Sequence, residues 1–147
     1  MSYHTWTTYG LGFCVDDIKT TPEKLLKLAA MKPDVLANVR SYLDECFENG
    51  YKDEDLTIED FNDLEGDYCE RGIAYVLYNV INEITVVYAT DFDGQQYILY
   101  GPSYPWQLPE NEANLKEPDV EEIFEKYISI LTDEAIYIDY MSVENGG

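Results

Sequence analysis

The sequence predicts a single α+β domain over residues 1–147, with helices packed on a four-stranded, mainly antiparallel sheet that contains a central hairpin. Three observations predict it. From Ile84 to Gly101, ITVVYATDFDGQQYILYG sets two β-branched and aromatic runs on either side of Asp93-Gly94, a dipeptide suited to a two-residue type I′ turn. Other segments repeat apolar residues at spacings of three and four, the helical period. The element order is β, several α, a β-hairpin, α, β, with no internal repeat and no linker-like stretch. A two-residue turn places Phe92 opposite Gln95, Ala89 opposite Ile98, Tyr88 opposite Leu99 and Val87 opposite Tyr100. Both faces of the hairpin are then largely apolar, so it belongs inside a sheet with at least one face under helices.

Residues 3–15, YHTWTTYGLGFCV, form the first strand, rich in Thr and aromatics. Gly10 and Gly12 interrupt it and signal a bulge or a close backbone approach. After a turn over Asp16 to Thr20, Thr21-Pro22-Glu23 starts a helix that runs to about Met31, with Thr as cap and Pro in the first turn. Lys32-Pro33-Asp34 restarts the chain into a second helix with the stripe Val35, Leu36, Val39, Leu43, Cys46 and Phe47, ended by Asn49-Gly50. Thr57 with Asp60 opens a short capped helix that turns Ile58, Phe61 and Leu64 inward, and Asp67 with Glu70 opens the next in the same way. Its inner face is Ile73, Val76, Leu77, Val80, Ile81 and Ile84, although the β-branched residues leave a strand reading open for part of it.

Beyond the hairpin, PSYPWQLPENEANLKEP has four prolines and no periodicity and reads as a long loop holding Tyr104 and Trp106. A helix follows from Asp119 with Glu122 three residues on, striped by Val120, Ile123, Phe124, Tyr127, Ile128 and Leu131. Ala135 to Val143 forms the last strand, with a polar Asn-Gly-Gly tail. A chain of 147 residues buries about 70% of its unfolded surface, enough for a core without staples. Cys14, Cys46 and Cys69 sit in apolar patterns and read as reduced, buried thiols. The longest apolar run, Ile73 to Tyr78, is far short of a membrane span, and MSYHTWTTYG carries no signal core, so a cytoplasmic protein is expected.

Charge is the unusual property. Nine Lys+Arg stand against thirty Asp+Glu, for a net −21 and a sequence pI near 4.1. Residues 1–43 hold Lys19, Lys24, Lys27, Lys32 and Arg40 against Asp16, Asp17, Glu23 and Asp34, a balance of +1, so the remainder carries −22. Such a field disfavours direct binding of nucleic acid or anionic membranes and attracts basic surfaces. Fourteen tyrosines supply rigid amphipathic contact area, and also suit strands and half-buried helix faces.

Catalytic and metal chemistry find little support. His4 is the only histidine, no Ser stands in a nucleophile-elbow context, and a zinc site would need more His or a closely spaced Cys pair. Asp91, Asp93 and Gly94 echo the start of a calcium loop, but the twelfth position from Asp91 is Pro102 where a Glu is required. Among so many acids a carboxylate pair carries no information, and no glycine-rich phosphate loop is present. The expectation is a protein that is not an enzyme and uses no cofactor or metal.

The acids concentrate at Asp44, Glu45, Glu48, Asp53, Glu54, Asp55, Glu59, Asp60, Asp63, Glu65, Asp67 and Glu70, against Lys52 alone. Helix capping accounts in part for Asp60, Glu70, Glu121 and Glu122, but not for Asp53, Glu54 and Asp55, nor for the scarcity of Lys and Arg. The opening residues SYHTWTTYGLGFCVDDI resemble the starts of small phage- and prophage-borne proteins. In size, charge and that opening the chain resembles acidic proteins of the anti-CRISPR type. The resemblance implies a stoichiometric inhibitor of a basic nucleic-acid-binding protein such as a CRISPR effector nuclease. Its carboxylates from Asp44 to Asp67 would stand where phosphates do, with Tyr104 and Trp106 as anchors. The alternative is an interaction, immunity or antitoxin module whose acidity serves solubility, and whose contact surface is the aromatic loop 102–109 or the edge strand from Ala135 to Val143. A plain solvated acidic face is the simplest reading of all.

Overall fold

A computed structural model describes residues 5–101 and 115–146. The elements are β1 (Thr5–Cys14), α1 (Pro22–Ala29), α2 (Pro33–Cys46), α3 (Ile73–Val80), β2 (Val86–Thr90), β3 (Gln96–Tyr100), α4 (Glu117–Leu131) and β4 (Asp139–Gly146). Short 3-10 turns occupy Val15–Asp17, Asp53–Asp55 and Ile58–Phe61. The strands form one antiparallel sheet in the order β2-β3-β1-β4, which is the α+β architecture the sequence predicts. The hairpin takes one end of that order rather than its middle, because β1 pairs β3 on one side and β4 on the other.

Helices cover one face. Leu11 and Phe13 of β1 and Ile98 of β3 join Leu25, Leu28, Val39, Leu43, Leu77, Phe124 and Leu131 in the main core. Phe124 meets Phe13 edge-on, with ring centroids 5.2 Å apart. The opposite face has its own small cluster, in which Ala89, Leu99 and Val143 are buried and Val87, Tyr97 and Met141 pack around them. The sheet curls about this second cluster. Asn145 of β4 accepts a hydrogen bond from Thr90 N of β2 at 3.1 Å and donates to Thr8 Oγ1 at 2.9 Å, linking the two ends of the strand order. Gly10 and Gly12 permit the tight coil, since a Cβ on Gly10 would lie 2.6 Å from Tyr100 O and one on Gly12 2.8 Å from Leu99 Cα. The close backbone approach expected at these glycines is therefore present.

Several boundaries follow the sequence. Thr21 Oγ1 accepts from Lys24 N at 3.4 Å ahead of Pro22, and Asp60 Oδ2 accepts from Thr57 N at 2.7 Å, turning Phe61 and Leu64 into the core. Others are corrected. The hairpin pairs Val87 with Leu99, Tyr88 with Ile98 and Ala89 with Tyr97, one residue away from the expected register. The cause is Asp91: its Oδ1 accepts from Asp93 N at 2.9 Å and Gln95 N at 3.0 Å, while Asp91 N bonds Gln95 O, making a longer loop in which Gly94 alone has positive φ. A type I′ turn needs two such residues.

Asp67 and Glu70 do not cap α3. The chain instead folds back between Gly66 and Glu70, Gly72 takes φ +59°, and the helix begins at Ile73. The helical reading of this stretch holds to Val80, and Ile81 and Ile84 stay buried beyond its end. α4 starts at Glu117, with Asp119 Oδ2 accepting from Lys116 N inside its first turn. β4 begins at Asp139 instead of Ala135 and continues past Val143 to Gly146, where the Asn145 amide finds partners that let a polar residue sit in the curl. Cys14 is buried as expected, whereas Cys46 and Cys69 are exposed thiols.

Candidate functional site

The polar face of α2 builds one wall of an acidic groove. Asn38, Ser41, Tyr42 and Glu45 recur at three and four residues, and so share one side of the helix. Facing them are the loop from Asp63 to Glu70 and α3 at Tyr75 and Asn79. Together they enclose about 490 Å3. The charged side chains lining it are Glu45, Asp63, Glu65, Asp67 and Glu70, with no Lys or Arg among them. The larger concavity of about 550 Å3 differs, because Lys19 and Arg71 balance Asp16 and Asp63 there.

Glu70 forms the floor of the groove. It is 1% exposed, and its carboxylate accepts from Tyr68 N at 2.9 Å and Asn79 Nδ2 at 3.2 Å, while Asn79 also donates to Tyr75 O. Gly66 makes room for it, since a Cβ there would collide with that carboxylate. Nearby, the Tyr42 phenol is pushed up to about 12, first by burial and then by the Cys46 thiol and the negative field of Asp63, so it remains a proton donor at neutral pH. A hydrogen bond with Glu65 raises the exposed Cys69 thiol, and burial raises Cys14. Both keep their protons, which is the reverse of a primed nucleophile.

The remaining predicted contact residues divide by what they touch. Glu45, Asp63, Glu65 and Asp67 come together in the groove. Asp44, Glu48, Glu54, Asp55 and Glu59 are exposed but do not line it. Asp53 is already engaged: Arg40 donates to its two oxygens at 2.6 and 2.9 Å, holding the carboxyl below its ordinary range, and also donates to Tyr51 Oη. Asp60 is spent on the Thr57 cap. The sequence missed the Arg40 partner because thirteen positions separate the two residues, a distance that only packing of the 3-10 turn against α2 closes. It also missed Tyr42, Asn38 and Ser41, whose helical spacing with Glu45 was the available signal. His4, Tyr104 and Trp106 lie outside the described residues.

Among the described residues no group of His, Cys, Asp and Glu is placed to hold a metal ion, and no helix is long and apolar enough to cross a membrane. Comparison with protein-family models, curated proteins and solved structures finds no match to this chain.

Proposed function

We propose that the protein is a stoichiometric inhibitor that seats its acidic groove and neighbouring carboxylates on a basic nucleic-acid-binding surface of a partner, such as a CRISPR effector nuclease, in the host cytoplasm. The observation that carries this reading is the groove between α2 and the loop from Asp63 to Glu70, where Glu45 stands on one wall and Glu65 and Asp67 on the other with no Lys or Arg lining it. Duplex DNA presents a negative charge about every 1.7 Å of its axis, and its binders answer with Lys and Arg. Exposed carboxylates on a rigid frame meet such cations with charge-assisted hydrogen bonds. The frame matters here. Glu70 and Asn79 brace the loop from beneath, so Glu65 and Asp67 are held in position before any partner arrives.

The test is capture of partners from nuclease-treated host lysate at low and high salt, followed by competition with DNA or guide RNA. Partners that bind nucleic acid, leave in high salt and are displaced by nucleic acid support the reading. Charge reversal at Glu45, Glu65 and Asp67 should weaken capture by at least about tenfold, as expected when complementary charges become like charges. Undiminished capture by that variant, or a complex indifferent to salt, overturns it.

A further inference from the structure

The concavity of about 550 Å3 is lined by the turn after β1, the 3-10 turn at Ile58 and the start of α3. Its size suits a small molecule. Its charges set it apart in so acidic a chain. Of nine Lys and Arg, Arg40 and Lys126 are the two that hold ion pairs among the described residues. Lys19 and Arg71 hold none, and both line this concavity. Two acids line it as well. Asp16 is engaged, since its Oδ2 accepts from Gln96 N at 2.7 Å, and Asp63 is exposed and lines the acidic groove too.

Gln96 also fixes the base of Arg71. Its Oε1 accepts from Arg71 N at 2.9 Å and its Nε2 donates to Arg71 O at 3.2 Å, while the Tyr88 hydroxyl donates to the same Oε1 at 2.7 Å. The Arg71 backbone is thereby tied to the sheet, two residues before α3 begins. Further donors belong to the same lining. Ile73 is the first residue of α3, its N–H has no hydrogen-bond partner among the described residues, and Gly72 before it has no side chain to supply one. Thr20 also lines the concavity, and its hydroxyl oxygen is shut from solvent without a partner. Rotation about χ1 exchanges that hydroxyl with the methyl group, so a ligand that offers it an acceptor restores a hydrogen bond the protein alone lacks. Ile18, Ile58 and Ile73 add apolar wall.

A guanidinium, an ammonium and a helix N-terminal N–H converge in chemistry on an oxyanion. The net charge of −21 does not forbid one, because at physiological ionic strength the screening length is about 8 Å and the cations in contact outweigh distant carboxylates. We propose that this concavity binds a small molecule through a carboxylate or phosphate group held by Arg71, Lys19 and the first turn of α3. The Thr20 hydroxyl is a further donor, and the isoleucines meet the apolar part of the ligand. The site goes beyond the inhibitor reading and uses none of Glu45, Glu65 and Asp67, so each can fail alone.

The test titrates the full 15N-labelled chain with benzoate, phenyl phosphate and uncharged benzyl alcohol at physiological ionic strength, following amide resonances by NMR. Saturable shifts at Thr20, Arg71 and Ile73 are expected with one or both anions, at a Kd on the order of 1 mM, and not with benzyl alcohol. The tighter anion tells whether the natural group is a carboxylate or a phosphate. Lys19→Gln/Arg71→Gln changes two exposed side chains and should weaken binding by at least about tenfold, through loss of charge-assisted hydrogen bonds. Lys24→Gln/Lys27→Gln removes the same charge from α1 outside the concavity and should leave the affinity within about twofold. Thr20→Val should weaken it by about threefold, the effect of one hydrogen bond. No saturable shift at these amides up to about 20 mM of either anion overturns the proposal. Equal weakening by the two double variants also overturns it, by assigning the effect to the overall field, and so does an affinity that Thr20→Val leaves unchanged.

Discussion

A methyl group at Gly12 would collide with Ile98 O and lie 2.8 Å from Leu99 Cα, so this position has to be glycine for β3 to cross β1 as closely as it does. Neither obstacle is the flexible end of a side chain. Gly12→Ala should therefore destabilise the fold by about 1–3 kcal/mol, the usual effect of overpacking, and denaturant unfolding at unchanged m-value would measure it. The sequence signalled the close approach through two glycines inside a β-rich run, without saying which strand would come near. Glu83 offers a second case. Lys126 Nζ lies 2.7 Å from its Oε1 and the Tyr127 hydroxyl donates to the same oxygen at 2.6 Å, and both bonds, Lys126 first, hold the carboxyl below its ordinary value of 4.5. A carboxyl depressed in the folded state adds stability that is fully present above its unfolded value and is lost as pH falls through the folded one. The stability difference between wild type and Glu83→Gln should thus be largest near neutrality and shrink below pH 4.5, in unfolding curves taken at each pH. A difference constant across that range would show that Glu83 contributes through packing alone. These partners were not legible in the sequence, because 43 positions separate Glu83 from Lys126 and only the return of α4 past the end of α3 brings them together.

The hairpin shows how one side chain sets the geometry of an element. Its strands were plain from their β-branched and aromatic content, yet its register was not, because Asp91 supplies hydrogen bonds to Asp93 N and Gln95 N that a bare turn rule leaves out. A shift by one residue decides which residues meet the helices. Tyr88 and Ile98 face the main core, while Ala89, Tyr97 and Leu99 face the smaller cluster. The two turn positions should respond differently. Gly94→Ala forces a side chain into positive φ and should cost about 1–2 kcal/mol, whereas Asp93→Ala, at ordinary φ, should change stability by less than about 0.5 kcal/mol. Equal losses at both positions would restore the two-residue turn. The helices were easier to read. α4 keeps the stripe expected of it and α2 buries Val35, Val39 and Leu43 of its own while leaving Cys46 exposed, since a three-to-four spacing of apolar residues leaves only one face to bury. α3 was misjudged at its start, where the acids that look like caps belong to a folded-back loop and Glu70 turns into the protein.

Across the whole molecule, the net charge of −21 works against compaction as well as toward basic partners. Only Arg40–Asp53 and Lys126–Glu83 pair opposite charges among the described residues, so most carboxylates face solvent with their repulsion unrelieved. Added monovalent salt screens that repulsion, and the melting temperature should rise as ionic strength increases from about 0.01 to 0.15 M, over which the screening length falls from about 30 to 8 Å. A melting temperature that stays flat or falls would mean that the ion pairs outweigh the like-charge field. The same salt series applied to partner capture separates the two consequences of acidity, since screening should strengthen the fold and weaken the complex. By itself the sequence determined the fold class, the helical faces and the size and sign of the charge, because periodicity and composition are local properties that survive in any packing. Tertiary structure alone decided the strand order, the hairpin register and which carboxylates act together. Asp53 was claimed by Arg40 and Asp60 by Thr57, while Glu45 was brought opposite Asp63, Glu65 and Asp67. The physical reason is that electrostatic and hydrogen-bonding partners are chosen by distance in space, and that distance exists only after α2, α3 and the loop before α3 have packed.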